Sequence, residues 1–230
     1  MALAQVDLKK LIAYSSVSHM GFVTLGLFVL NQQGIEGAVL QMVNHGITTG
    51  GLFLCVGIIY ERTHSRLIAD NAGLAAPMPQ YATLLVIFAL SSLGLPGTNS
   101  FVGEFLVLVG TFLWSKVATA CASLGIILAA TYILWMIQRV VFGVPSPHHL
   151  PKLKDLNHRE LATLVPLVLL VFWIGLFPNP FVSRMHQSVN NTIASMSRAK
   201  VAPTAHPSAG GTAPLLADSG EHRKTQGPLR

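Results

Sequence analysis

The sequence predicts an all-α membrane protein, a polytopic bundle of about five transmembrane helices with a disordered C-terminal tail. Of its 230 residues, 51% are hydrophobic and 10% are charged, whereas a soluble domain carries about 25% charged residues. The mean hydropathy of +0.55 agrees with this class. The formal net charge of +6 does not indicate nucleic-acid binding, because the basic residues are spread over loops and tail rather than gathered in one patch.

The transmembrane region is predicted over residues 1–198. It contains apolar runs of the length that crosses a bilayer, about 17–25 residues or more. These runs lie at about residues 11–30, 35–60, 81–114, 117–142 and 161–177. Residues 181–197 are predicted to form a short interfacial helix. Residues 199–230 are rich in Pro, Gly, Ala and polar residues and are predicted to be the disordered tail.

The run at residues 81–114 is predicted to be a broken helix. It is longer than a membrane helix needs, and Gly94, Pro96 and Gly97 lie near its middle. Proline removes a backbone donor and clashes with the preceding turn, so the helix is expected to unwind near residues 94–100. Unwound backbone is tolerated at membrane depth only where it is buried in protein or lines a wet cavity. The break therefore marks a candidate functional region.

Glu104 directly follows this break and is the first candidate site residue. A carboxylate within an apolar segment is costly, so the default hypothesis is a proton or ion site. Its apolar neighbours are expected to keep it from water: Phe101, Val102, Phe105 and Leu106. A carboxyl group removed from water exchanges its proton at a higher pH than an exposed one. The alternative is a neutral Glu104 that only ties helices together by hydrogen bonds.

His19 and His45 are the other candidates for proton transfer. Each lies near the middle of a predicted span, so a polar layer shared with Glu104 is expected. Imidazole is the side chain whose ordinary charge change falls near neutral pH, which suits a proton shuttle. The alternative for each is a hydrogen-bonded core histidine. No His or Cys pair has the spacing of metal ligands, so no metal site is predicted.

The basic residues of the loops predict the orientation. One side of the membrane is expected to hold Lys9, Lys10, Arg62, Arg66, Lys152, Lys154 and Arg159. The short loops on the other side hold only Lys116. Because Lys and Arg are enriched in cytoplasmic loops, the first side is predicted to be cytoplasmic or matrix-facing.

Three blocks of sequence resemble the antiporter-like membrane subunits of respiratory complex I. They are DLKKLIAYSSVSHMG at residues 7–21, QMVNHG at residues 41–46 and LPGTNSFVGEF at residues 95–105. The glutamate in the third block resembles chain M, which corresponds to mitochondrial NADH dehydrogenase subunit 4. Related chains L and N, and the cation/proton antiporter subunits, usually place lysine there.

The resemblance implies a role for the candidate residues. Members of this family carry two inverted repeats, each with a broken helix and a midplane charge, joined by a hydrophilic axis. Glu104 matches the terminal acid or base of the second half-channel, and His19 and His45 match the histidines that lead to it. The implied function is a proton-translocating membrane-arm subunit of NADH:quinone oxidoreductase, in a bacterial inner membrane or the mitochondrial inner membrane. NADH and quinone are used by the whole complex, and no redox cofactor is expected in this chain.

The chain departs from the family pattern in length. Full members have about fourteen spans, and about five are predicted here. The resemblance is to the C-terminal portion alone, without the first-repeat glutamate and lysine or the second-repeat lysine. The expected partners are therefore the lipid bilayer and other membrane-arm subunits, including a chain that supplies the N-terminal half.

Two other functions stay open from the sequence. A secondary cation/proton antiporter subunit would exchange sodium for protons without NADH. A structural membrane fragment would pack within a complex and transport nothing itself, and the missing first half favours this third hypothesis.

Overall fold

The computed structural model describes residues 1–144 and 153–201, and these residues form an all-helical bundle. A short 3-10 turn, Ala2–Ala4, precedes the α-helices. They are α1 (Leu8–Phe28), α2 (Gln32–Thr63), α3 (Pro79–Ser92), α4 (Asn99–Trp114), α5 (Lys116–Val140), α6 (His158–Leu176) and α7 (Asn179–Val201). The predicted all-α class is confirmed.

Four helices in the described part of the chain are long and apolar enough to cross a membrane: α1, α2, α5 and α6. The predicted broken helix is also confirmed, because α3 ends at Ser92 and α4 begins at Asn99. Together these two shorter apolar helices make the remaining predicted span. The unwound turn between them is held by its own backbone, with Leu95 N–H donating to the Leu90 carbonyl over 3.2 Å.

The C-terminal helix differs from the expectation. A short helix was expected over residues 181–197, whereas α7 runs from Asn179 to Val201. The helix thus extends over residues 199–201, the first residues of the predicted tail. The helix packs on α2 and buries Val189, and each residue added to a packed helix forms a further backbone hydrogen bond. The predicted tail from residue 202 onward, and Lys152, lie outside the described residues.

One end of the bundle is organised by Arg62, and we call it the Arg62 end. Here α2 and α5 end while α1, α3 and α6 begin. The Arg62 guanidinium donates to both carboxylate oxygens of Glu160 over 2.8 and 2.7 Å, and to the carbonyl oxygen of Lys154 over 2.9 Å. The Asp155 carboxylate accepts backbone N–H groups from the first turn of α3. Arg62 thus connects α2 to α6 and to the loop that caps α3.

We expect Arg62→Lys to destabilise this end although the charge is kept. A lysine ammonium cannot form the two parallel hydrogen bonds to Glu160 that a guanidinium forms. The expected loss is about 1.5–3 kcal/mol, the range for hydrogen bonds to charged groups. Thermal inactivation of the purified complex measures it, and Arg159→Lys, at the exposed neighbour of Glu160, is the matched control. Equal stability of both variants would contradict this role.

The opposite end is called the Gln32 end. The α1–α2 turn lies here with the end of α4 and the beginning of α5, whereas the end of α6 lies beside the break, where Gly175 approaches Gly97. Asn31 caps α2 by accepting the Gly34 N–H over 2.8 Å, and its amide donates to the Gly110 carbonyl of α4 over 2.6 Å. This arrangement fixes α2 against α4 near the start of α2.

A layer of polar side chains separates two apolar clusters. The larger cluster is built around α3 and the Arg62 end, and the smaller one contains Phe22, Val23, Ala38 and Val107 towards the Gln32 end. Between them lie buried polar residues from α1, α2 and the break. They are Ser15, His19, Gln41, Asn44, Thr48, Ser91, Ser92, Asn99 and Glu104. The fold thus places a hydrogen-bonded layer at the depth where α3 and α4 are interrupted.

Candidate functional site

Glu104 lies in the polar layer, in direct contact with a histidine. Its Oε1 atom is 2.9 Å from His19 Nδ1 and accepts a hydrogen bond from Gln41 Nε2 over 3.1 Å. Both Glu104 and His19 are only 5% exposed. A buried carboxylate without a partner would be strongly disfavoured, so the imidazole and the amide together make this placement possible.

His19 connects Glu104 to the end of α3. Its second ring nitrogen, Nε2, is 3.1 Å from the hydroxyl of Ser92. When Glu104 is ionised, Nδ1–H donates to it. When Glu104 is protonated, it can donate to Nδ1 while Nε2–H donates to Ser92. The same heavy-atom positions therefore accommodate both protonation states, which a proton-transfer site requires.

The break in the broken helix makes room for the carboxylate. Gly94 has a φ of +78°, a left-handed conformation that favours glycine. A Cβ atom at this position would lie 2.9 Å from Glu104 Oε2. The unwound turn therefore serves the site in two ways, because it ends α3 next to Ser92 and leaves space beside Glu104.

A second hydrogen-bonded group joins α2 to the start of α4. Ser91 donates to Asn99 Oδ1 over 2.7 Å, and Thr48 Oγ1 lies 3.2 Å from the same oxygen. The Asn44 amide donates to the Asn99 carbonyl over 2.7 Å. The side-chain oxygens of Gln41 and Asn44 are buried and have no hydrogen-bond partner among residues 1–144 and 153–201. Buried polar atoms are usually satisfied by protein or by ordered water, so these oxygens are acceptors to which water can donate.

His45 lies beside His19 and contacts the ring of that residue. Its ring centroid is 5.6 Å from that of His19, and the rings are tilted by 43°. Its hydrogen bond is to Thr49 of the same helix, over 3.1 Å. The structure thus brings the predicted residues Glu104, His19 and His45 together, with only His19 in direct contact with the carboxylate.

We expect His19→Gln to reduce proton pumping more than His45→Gln. Loss of His19 removes both the imidazole partner of Glu104 and the connection to Ser92, whereas water can replace His45 beside Thr49. An effect of about tenfold is expected for His19→Gln, and a smaller one for His45→Gln. Pumping per assembled complex in inverted membrane vesicles tests the order, and a larger effect at His45 would reverse it.

The environment of Glu104 differs from the apolar one expected from its sequence neighbours. Phe105 is 52% exposed on the outer side of α4, because adjacent helical residues point in different directions. The groups that touch the carboxylate are polar and come from α1 and α2. Gln41 and Ser92 were not candidates in the sequence analysis, although both are polar residues inside predicted apolar runs.

A third residue missed from the sequence is Glu36. It lies in the first turns of α2, is 5% exposed, and its carboxylate is 2.9 Å from His186 Nδ1. The rule that drew attention to Glu104, a carboxylate within an apolar run, applies equally to Glu36. No cluster of three His, Cys, Asp or Glu residues that could hold a metal ion occurs in the described ranges.

The chain matches the family described as NADH:quinone oxidoreductase/Mrp antiporter, TM, over residues 1–130, which is more than half of its length. The chain belongs to this family. The resemblance carried by residues 7–21, 41–46 and 95–105 is thereby confirmed, and the polar layer built by α1, α2 and the break lies within the matched region.

Relatives in the family come from eukaryotes and from bacteria. The chain is 48% identical over 189 residues to NADH-ubiquinone oxidoreductase chain 4 of Marchantia polymorpha, covering 82% of this chain and 38% of the relative. It is 45% identical over 206 residues to NADH-quinone oxidoreductase subunit M of Rhodobacter capsulatus, covering 86% and 40%. This chain therefore spans about two fifths of the length of the curated relatives it matches.

A solved member of the family has the same fold over most of this chain. A chain of respiratory complex I from Thermus thermophilus with bound NADH superimposes with a TM-score of 0.78 at 35% identity. The superposition covers 85% of this chain and 41% of that chain. The helices that carry Glu104 and His19 are thus part of an arrangement shared with a complex I subunit.

Proposed function

We propose that this chain provides a proton path in the membrane arm of a proton-translocating NADH:quinone oxidoreductase, with Glu104 as its proton carrier. The observation that carries the proposal is the direct contact between Glu104 and His19, both buried beside a helix break. A buried carboxylate with an imidazole within hydrogen-bond distance can exchange a proton without large movement. Membership of the family supports the reaction class.

Proton transfer through the pair uses both nitrogens of His19. A proton arriving through the Ser92 hydroxyl binds Nε2, and the proton on Nδ1 passes to Glu104 Oε1. His19 is neutral before and after the step, and Glu104 changes from carboxylate to carboxylic acid. Gln41 donates to Oε1 in both states, because the oxygen has two lone pairs. The pair is reset when Glu104 loses this proton and His19 returns to its first tautomer.

Coupling to the redox reaction would be electrostatic. A charge that appears on a neighbouring site favours one protonation state of Glu104 over the other, and the resulting free-energy coupling is reciprocal. NADH and quinone would be bound by other subunits, and this chain would hold no redox centre. Its partners would be other membrane-arm subunits.

The Arg62 end is proposed to face the cytoplasm or mitochondrial matrix, in the bacterial inner or mitochondrial inner membrane. Seven Lys and Arg residues of the described chain lie at this end: Lys9, Lys10, Arg62, Arg66, Arg139, Lys154 and Arg159. The Gln32 end, where Lys116 and Arg184 lie, would face the opposite compartment. A proton moving outward would then travel from the Arg62 end towards the Gln32 end.

Inverted membrane vesicles with the assembled complex test this function against the two others. NADH should acidify the vesicle lumen without added sodium. Exchange driven by a sodium gradient in the absence of NADH would instead assign the chain to the antiporters. If the complex pumps equally well after Glu104 in the polar layer is replaced by glutamine, this chain has a structural role.

A further inference from the structure

Glu36 is a buried carboxylate that the path through Glu104 does not use. Its side chain is 6% exposed, whereas the side chain of its partner His186 is 58% exposed. The Gln32 amide nitrogen lies 3.0 Å from Glu36 Oε1 and 2.6 Å from His186 Nδ1. An acid inside the bundle is thus connected to the surface by one imidazole.

The pair lies on the outward side of the polar layer. Glu36 precedes Gln41 on α2 by five residues, which is about 7.5 Å along the axis at about 1.5 Å per residue. The Gln41 amide nitrogen donates to Glu104, and its Oε1 lies beside Gly103 of α4. The carbonyl oxygen of Gly103 also approaches Gly37, the residue next to Glu36. The buried Oε1 of Gln41, which has no partner in the described ranges, can hold a water in this interval.

The pair shares the Gln32 end with Lys116 of α5 and Arg184 of α7. On α7, Arg184 is exposed two residues before His186. The charged residues of α6 lie at its beginning, at the opposite end of the bundle. Around Glu36, the faces of α1 and α4 that approach Gly34 and Gly37 consist of glycine backbone and apolar side chains. Among the described residues, His186 is thus the titratable partner of Glu36.

We propose that Glu36 and His186 form the proton-release site of this chain, delivering protons to water at the Gln32 end. Glu36 takes a proton from a water on the side of Gln41, and that water recovers a proton from the Glu104 carboxylic acid, which becomes a carboxylate again. The O–H bond then breaks as the proton passes to His186 Nδ1, which leaves a carboxylate beside an imidazolium. The exposed imidazolium loses a proton to bulk water and becomes neutral again. This inference rests on the proposed proton-translocating function.

The test uses Glu36→Gln and His186→Gln in the assembled complex, with pumping measured in inverted vesicles at several lumenal pH values. The lumen corresponds to the Gln32 end. We expect pumping to fall by about tenfold in Glu36→Gln, and the dependence of the rate on lumenal pH to flatten in both variants. Glu36→Asp should restore part of the pH dependence. His158→Gln, an exposed histidine at the Arg62 end, is the matched control and should match the wild-type profile.

The outcomes separate this inference from the proposed function. A wild-type pH profile in both Glu36→Gln and His186→Gln, together with impaired pumping in Glu104→Gln, would overturn the release site and leave the function standing. Wild-type pumping in Glu104→Gln would overturn the function itself. If Glu36→Gln reduces assembly, His186→Gln still decides, because an exposed side chain can be exchanged without opening a buried cavity.

Discussion

Glu104→Gln should abolish most proton pumping while leaving the complex assembled. Glutamine has the size of glutamate, and its carbonyl oxygen can still accept hydrogen bonds from His19 and Gln41. It cannot bind and release a proton at any accessible pH. Because general acid–base groups contribute about 100-fold or more, pumping should fall by about that factor. NADH:quinone turnover should fall with it if the two processes are tightly coupled.

Two further variants separate chemistry from packing at this position. Glu104→Asp keeps the carboxyl group on a stem shorter by one carbon, so we expect part of the pumping to remain. Glu61→Gln makes the same chemical change at an exposed residue of α2 and should have no effect. The measurement is the pH gradient formed by NADH in inverted vesicles, normalised to assembled complex on native gels. Full activity in Glu104→Gln would reduce Glu104 to a structural hydrogen-bond acceptor.

Gly37→Ala should have the largest effect on stability. Gly37 lies where α2 meets α4, and a Cβ atom there would be 2.7 Å from both Leu106 Cβ and the Val107 backbone nitrogen. Non-bonded carbon atoms attract best at about 3.5–4.0 Å, so the helices must separate. Overpacking of this kind costs about 1–3 kcal/mol. Gln41 lies one turn further along α2, so the same displacement should also weaken its hydrogen bond to Glu104.

The control for Gly37→Ala lies on the same helix. A Cβ atom at Gly50 would meet no heavy atom within 4 Å, so Gly50→Ala changes helix propensity without a clash. We expect less assembled complex and a lower inactivation temperature for Gly37→Ala, and neither change for Gly50→Ala. If both variants assemble like the wild type, close approach of α2 and α4 is not required.

Glu104 shows which features of the site could be predicted from the sequence and which could not. Its rarity within an apolar run and its place after Pro96 and Gly97 marked it as a candidate. The same reasoning assigned it apolar surroundings, because neighbours in sequence were taken as neighbours in space. The contacts of the carboxylate come from residues 85 and 63 positions away, His19 and Gln41. Such pairings depend on how helices are rotated against one another, which a single run of residues does not encode.

Glu36 and α7 show the complementary case. Glu36 satisfied the rule that singled out Glu104, but it lies near the predicted start of a span, where a carboxylate can also be exposed. Only the packing of α7 on α2 buries it and supplies His186 as partner, 150 residues further along the chain. The extent of α7 was also underestimated, because its sequence is polar and its order comes from contact with α2.

The membrane class, the helical runs, the break near Pro96 and the family could be predicted from the sequence, because these follow from local composition, backbone chemistry and short motifs. Tertiary structure alone decided that His19 and Gln41 bind one oxygen of Glu104, that His45 lies one step away, and that Glu36 is buried against His186. The physical reason is that apolar surface drives each helix into the membrane whatever its rotation. The rotation is chosen by close glycine contacts and buried hydrogen bonds between helices distant in sequence.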